Sequence, residues 1–168
     1  MAEADIAPGS IAIIAVTAGP GSFTGIRAAL SLAHGIGMVA GAPVVGVTVG
    51  EALALSDAGC VAGRRELWVA VDSRRGRVFL DRAGQVATVA LDALPDPSGP
   101  VCLAGDAAIA VASRLAARGA DVMLLAARVP TPAGIAAAAQ RRTAAGPDAR
   151  PTQPLYVDPP EARPAART

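Results

Sequence analysis

The sequence predicts an α/β layered fold with a mixed, mainly parallel sheet, and three observations predict it. Short, near-continuous apolar runs such as "SIAIIAVT" and "PVVGVTV" read as strands buried on both faces. Helical patterns such as "SLAHGIGMVA" and "AAIAVASRLAARG" alternate with those runs. Glycine, proline and aspartate mark the junctions between them. Alternation of this kind implies parallel pairing, because a parallel crossover needs a helix-length connection. At 168 residues, 52% hydrophobic and 17% charged, the chain can bury a sizeable core.

The elements follow in order. Ser10 to Thr17 is the first strand, and a glycine loop leads into a helix from Ser22 to Ala40. Pro43 to Val49 is a second buried strand, followed by a helical turn or two over Gly50 to Leu55. "ELWVAVDS" and "GRVFLDRAG" are short strands joined as a hairpin. A Pro/Asp/Gly-rich loop spans Leu94 to Pro100. After it come the strand "VCLAGD", the helix "AAIAVASRLAARG", the strand "DVMLLA" and a last helix in "PAGIAAAAQRRTAAG". Beyond Gly146 the chain is Pro-rich, and only "PLYV" is suited to pair or pack.

Composition excludes several functions. A net charge of +1 argues against binding nucleic acid or acidic surfaces through bulk charge. All fifteen basic residues are arginine, so neither a P-loop lysine nor a Schiff-base lysine exists. Cys60 and Cys102 are far apart and there is one histidine, which argues against a zinc site; the reading is two reduced thiols of a cytoplasmic protein. The uncharged stretches from Asp5 to Arg27 and from Arg27 to Glu51 reach the ~20 residues that span a bilayer. Both are broken by Gly and Pro, and the acidic "MAEAD" start is unlike a signal peptide, so no membrane association is expected.

The loop "TAGPGSFTGIRAAL" invites a phosphate-binding reading and does not fit one. A P-loop needs GxxxxGK[ST], and the lysine is missing. The dinucleotide fingerprint fails because Thr24 stands at its third glycine, and Thr48 and Val49 occupy the place of the ribose-binding acid. The architectural reading accounts for each residue of a structural loop made by Gly19, Pro20, Gly21, Ser22, Thr24 and Gly25. Gly19 and Gly21 permit a sharp turn that Pro20 stiffens, and Ser22 caps the helix by accepting from Thr24 or Gly25. Gly25 then lets the first turn approach the sheet.

The helix is apolar on two sides. Phe23, Ile26, Leu30, Ala33 and Gly37 form a stripe for the sheet, and Ala28, Leu32, Gly35 and Val39 a second one. Arg27, Ser31 and His34 make the polar stripe. In so small a domain the second apolar side calls for another protein chain. No catalytic set emerges: His34 lacks a positioned partner, and Asp72 and Asp106 follow strands with no further carboxylate, histidine or lysine fixed beside them by spacing. Arg64, Arg65, Arg74, Arg75 and Arg77 are the one local charge concentration and read as a solvated face.

Gly19 to Ala54, "GPGSFTGIRAALSLAHGIGMVAGAPVVGVTVGEALA", closely resembles the bacterial TsaB (YeaZ, glycoprotease-like) family. "VAVDSRRGRVFL" resembles that family's "DAR.GEVY" hairpin, with Asp72, Arg74 and Gly76 matching; "LAGDAA" and "PLYVD" resemble its strand end and its terminal "P.YLR". Arg77 stands where the family carries glutamate, and Asp158 where it carries arginine. The resemblance implies a sugar-kinase/Hsp70/actin-like (ribonuclease H-like) fold, with 1–58 the remainder of a first subdomain, 59–146 a second, and 147–168 a Pro-rich tail. Family members begin with a further β-hairpin and helix, so a misassigned start, a fragment and a reduced paralogue all stay open.

The resemblance also implies a non-catalytic scaffold subunit of the machinery that makes threonylcarbamoyladenosine in tRNA. Its partners would be the catalytic paralogue TsaD and the ATPase subunit TsaE, with tRNA reached only through the complex and a homodimer when alone. ATP and metal would belong to the partner subunits, and the chain would hold no cofactor or metal of its own. The interface expected on the helix is Phe23, Arg27, Ala28, Ser31, Leu32, His34, Gly35, Met38 and Val39. The other readings are a nucleotide-binding ATPase or kinase-like enzyme using the Gly19–Gly25 loop and a non-functional fragment.

Overall fold

A computed structural model describes residues 7–56, 65–74, 76–146 and 152–157. A 3-10 turn, Pro8–Ser10, leads into β1 (Ile14–Gly19), α1 (Phe23–Ala40), β2 (Val44–Thr48) and α2 (Val49–Ser56). The chain continues as β3 (Glu66–Asp72), β4 (Arg77–Arg82), β5 (Gln85–Ala90), β6 (Val101–Ala104), α3 (Ala108–Ala116), β7 (Val122–Leu124) and α4 (Pro132–Ala144). β1 and β2 pair in parallel with Val16 opposite Gly46. The other strands form a mixed sheet in the order β5-β4-β3-β6-β7, antiparallel through β4 and parallel from β3 to β7.

The sheets and helices of the described residues stack in layers. α1 covers one face of the β1–β2 sheet, where Leu30 and Ala33 pack on Ile14, Val16 and Val44. The other face, with Ile13, Ala15, Val45 and Val47, meets Ala52 and Leu55 of α2 and Ile135, Ala138 and Ala139 of α4. α2 turns its remaining side to the larger sheet, placing Leu53 against Val69, Val71, Cys102 and Ala104. The far face of that sheet carries Trp68, Ala70, Leu80 and Leu103 beneath Val111, Ala112 and Leu115 of α3. α2 is therefore apolar on two sides, as a helix between two sheets must be. Full burial of its Leu53 stabilises by roughly 2 kcal/mol.

Side chains close the helix ends. Ser22 Oγ accepts from the Gly25 amide at 3.3 Å and Thr131 Oγ1 from the Gly134 amide at 3.0 Å. At α2 the cap is reciprocal: Thr48 Oγ1 accepts from the Glu51 amide at 3.0 Å, and Glu51 Oε2 accepts from the Thr48 amide at 2.6 Å. Thr48→Ala is expected to lower the unfolding free energy by about 1 kcal/mol, read as a shifted urea midpoint at an unchanged slope.

Several expectations need correction. β1 begins at Ile14, not Ser10, because its partner β2 begins only at Val44, while Pro8–Ser10 coil into a turn. β5 is a strand the sequence reading lacks. Its alanines weaken the alternation, but Ala83 (φ 50°) and Gly84 (φ 85°) form a two-residue hairpin turn ahead of it. Cys102 is buried and disulfide-bonded rather than a reduced thiol; Cys60 lies outside the described residues. Gly25 makes no close approach to the sheet. It is exposed, and an added Cβ would meet only Ser22; the close approach belongs to Gly37, where a Cβ would lie 2.8 Å from Val44.

Candidate functional site

The glycine loop and α1 occupy one outer side of the molecule. Gly19 adopts φ 122° and lies under Leu155 and Ile26, so a Cβ there would fall 3.1 Å from Ile26 Cδ1. Pro20 is buried after a cis Gly19–Pro20 bond, and Ser22 and Thr24 are exposed. The amide of Gly25 is engaged by Ser22 Oγ and that of Ile26 by the Ser22 carbonyl at 2.9 Å. A segment from the chain's far end, residues 152–157, lies across this loop. The Leu155 amide donates to Ala18 O at 2.8 Å and Thr152 Oγ1 to Val44 O at 2.8 Å. This is the packing that the sequence allows for "PLYV".

Tyr156 reaches the first turn of α1. Arg27 Nε donates to its hydroxyl at 2.9 Å, and the Arg27 guanidinium stacks on the Phe23 ring with 3.8 Å to the centroid. The Phe23 and Tyr156 rings lie 5.8 Å apart. Phe23 is 57% exposed, so it leaves the sheet-facing stripe expected of it, whereas Leu30, Ala33 and Gly37 are buried there. The second stripe faces solvent: Leu32 is 66% and Val39 79% exposed, with Ala28 and Gly35 exposed between them. Arg27, Ser31, His34 and Met38 are exposed as well. α1 thus turns a continuous, largely apolar face outward. It is also long and apolar enough to cross a membrane, but its inner face serves as the crossover of a parallel β1–α1–β2 unit.

The titratable residues form no catalytic set among the described residues. His34 makes no hydrogen bond there. The fold does bring Asp72 and Asp106 together at the carboxyl ends of β3 and β6. Asp106 Oδ1 accepts from the Asp72 amide, and Asp72 Oδ1 from the Arg74 amide, each at 2.8 Å. That is turn-holding work, and no group of three metal-capable side chains gathers among the described residues. The arginine concentration separates in space: Arg65 precedes β3 and forms a bidentate pair with Asp121, whereas Arg74 and Arg77 follow its other end. Arg64 and Arg75 lie outside the described residues. A shallow 370 Å³ concavity lies between 96–100 and 118–121, and there Arg118 contacts Asp96 at 3.5 Å while Asp121 is held by Arg65.

Among the described residues, one carboxylate is buried. Asp81, 5% exposed, sits where β4 meets the first turn of α2; its Oδ1 accepts from the Gly84 amide at 2.9 Å. Oδ2 occupies the space that a side chain on Gly50 would fill. Burial raises its pKa above the ordinary 3.8, the Gly84 N–H opposes the rise, and the Glu51 charge adds to it. The folded chain therefore holds this proton more tightly than the unfolded chain does. The contribution of Asp81 to stability is full below the unfolded value and falls as pH rises from there through the raised folded value. Asp81→Asn is expected to flatten that acid-side slope, read from urea midpoints across a pH series.

A family model for TsaD, tRNA N6-adenosine threonylcarbamoyltransferase, matches residues 1–115. The chain belongs to the TsaD family. Two solved structures place it more closely. YeaZ from Pseudomonas aeruginosa is similar at 25% identity and a TM-score of 0.72, over 92% of this chain and 78% of that one. A crystal structure of an uncharacterized protein with similarity to peptidase YeaZ, also from Pseudomonas aeruginosa, gives a TM-score of 0.73 at 22% identity, over 94% of this chain and 78% of the other. No curated protein matches the sequence. This TsaD-family chain is YeaZ (TsaB)-like, and its layered fold is of the actin-like, ribonuclease H-like type.

Proposed function

We propose that this chain is a non-catalytic scaffold subunit of the complex that makes threonylcarbamoyladenosine in tRNA, on the adenosine next to the anticodon. It docks through the outward face of α1 onto a catalytic TsaD-type paralogue and holds that enzyme in a competent dimer. The observation that carries the reading is the uninterrupted exposure of Leu32, Met38 and Val39 on a helix whose opposite face is already buried. An apolar face of this kind marks a protein contact in a chain with family ties to a tRNA-modifying transferase. ATP and metal belong to the partner subunits, an ATPase subunit of the TsaE type joins the pair, and tRNA is engaged only through the assembly. The test is the light-scattering mass of this chain mixed with the catalytic paralogue from the same organism. A stable one-to-one complex is expected, and two unchanged separate masses overturn the reading.

A further inference from the structure

Arg27 is the one formally charged residue between Asp5 and Glu51, so the β1–α1–β2 unit carries a single charge. The fold holds that guanidinium in place. It stacks on the Phe23 ring at 3.8 Å to the centroid, the Tyr156 ring lies 5.7 Å away, and Nε donates to the Tyr156 hydroxyl at 2.9 Å. Tyr156 is anchored in turn. The neighbouring Leu155 amide donates to Ala18 O, and Gly46 leaves room for Thr152, whose Cγ2 a Cβ there would meet at 3.0 Å. Among the described residues Arg27 makes no ion pair and no other hydrogen bond, so Nη1 and Nη2 point a preset fork into solvent. The first turn of α1 holds no acidic residue, and the helix dipole favours an anion at that end.

We propose that Arg27 is the charged anchor of the docking face, its Nη1 and Nη2 groups clamping one carboxylate of the catalytic paralogue. The inference rests on the proposed scaffold role and gives that contact its chemistry. A guanidinium offers parallel N–H donors that match the two oxygens of a carboxylate. Phe23 and Tyr156 have already fixed its conformation, so docking orders less side chain. A protein carboxylate fits better than an RNA phosphate on two grounds. Nucleic-acid backbones are gripped by several cations together, and Arg27 stands alone. The exposed Leu32, Met38 and Val39 of the same helix exclude water on docking, and a dehydrated guanidinium there needs a paired charge.

Titration calorimetry of the full chain against the catalytic paralogue tests it. Arg27→Gln is expected to weaken docking about 30-fold or more, because the partner's carboxylate is left buried and unpaired. Arg27→Lys keeps the charge without the fork and should still bind about fivefold or more below the unaltered chain. Tyr156→Phe keeps the ring, removes the acceptor and should cost about threefold. In the Arg27→Gln background it should cost nothing further, because Tyr156 acts through Arg27, and a loss that persists there overturns its positioning role. Both side chains are exposed in the single chain, so melting temperatures should stay within about 4 °C. Unchanged docking by Arg27→Gln, with Leu32→Glu still disruptive, overturns the anchor and leaves the docking face standing. Arg27→Lys docking as tightly as the unaltered chain overturns the forked carboxylate. Unchanged docking with weakened transfer-RNA binding by the assembled pair assigns the fork to phosphate and also overturns the proposal. An unaltered chain that does not dock at all overturns this inference and the scaffold role together.

Discussion

Gly105→Ala is expected to cost on the order of 4 kcal/mol of stability, out of the roughly 5–15 kcal/mol that holds a domain of this kind together. Two penalties coincide at this position. Gly105 adopts φ 99°, a conformation that costs an L side chain about 1–3 kcal/mol. A Cβ built there would also fall 2.1 Å from the carbonyl oxygen of Ala70. That oxygen cannot step aside cheaply, because it belongs to the central strand β3 and accepts from the Ala107 amide at 3.1 Å. Gly105 is itself pinned, its amide donating to Ala127 O at 2.9 Å. Overpacking adds about 1–3 kcal/mol. In a chain of this length the sum lowers the melting temperature by on the order of 10 °C. Gly50 makes an informative contrast. There a Cβ would fall 2.0 Å from Asp81 Oδ2 and 2.9 Å from its Cγ at an ordinary backbone conformation, so only the collision counts, and relieving it disturbs the Gly84 hydrogen bond to Asp81 Oδ1. Calorimetry of the Gly105 variant beside the unaltered chain is the check, and equal melting temperatures would contradict the account.

Most of the fold is legible because these elements announce themselves locally. The apolar runs around Val16, Val47, Val69 and Leu103 sit on strands, and the Ser22 cap and Gly41 at φ 66° bracket α1 close to where the pattern places them. What is illegible depends on partners distant in sequence. Phe23 fits the sheet-facing stripe by spacing, and it faces outward in company with Arg27 and Tyr156, which are 129 residues apart in the chain. Nothing in "RVFLDR" marks Asp81 as buried, since the burial comes from α2 arriving from the other sheet. The clustered arginines look like one patch in sequence, but a whole strand separates Arg65 from Arg74 and Arg77. For the candidate site, spacing alone places Leu32 and Val39 on one stripe and calls for a second contact surface.

Leu32→Glu is expected to weaken docking on the catalytic paralogue by about 100-fold or more while leaving the chain folded. In the single chain Leu32 is 66% exposed at mid-helix, so the new carboxylate stays in water, and the stability change should remain within about 0.5 kcal/mol. Glutamate is a better helix former than the average surface residue, which keeps α1 intact. In the complex the same carboxylate would be buried without a partner against an apolar surface. An uncompensated charge of that kind costs about 3 kcal/mol or more, and each 1.4 kcal/mol is a tenfold loss of affinity. Val39→Glu, on the same stripe, should act alike. Ile109→Glu supplies the control: Ile109 is 57% exposed on α3, the outermost layer at the opposite end of the stack. It should dock as well as the unaltered chain. Titration calorimetry of the three variants separates the outcomes. Loss of binding in the α1 variants alone assigns the contact to the outward face of α1. Full binding by Leu32→Glu and Val39→Glu would move the contact elsewhere and leave that face without the role proposed for it.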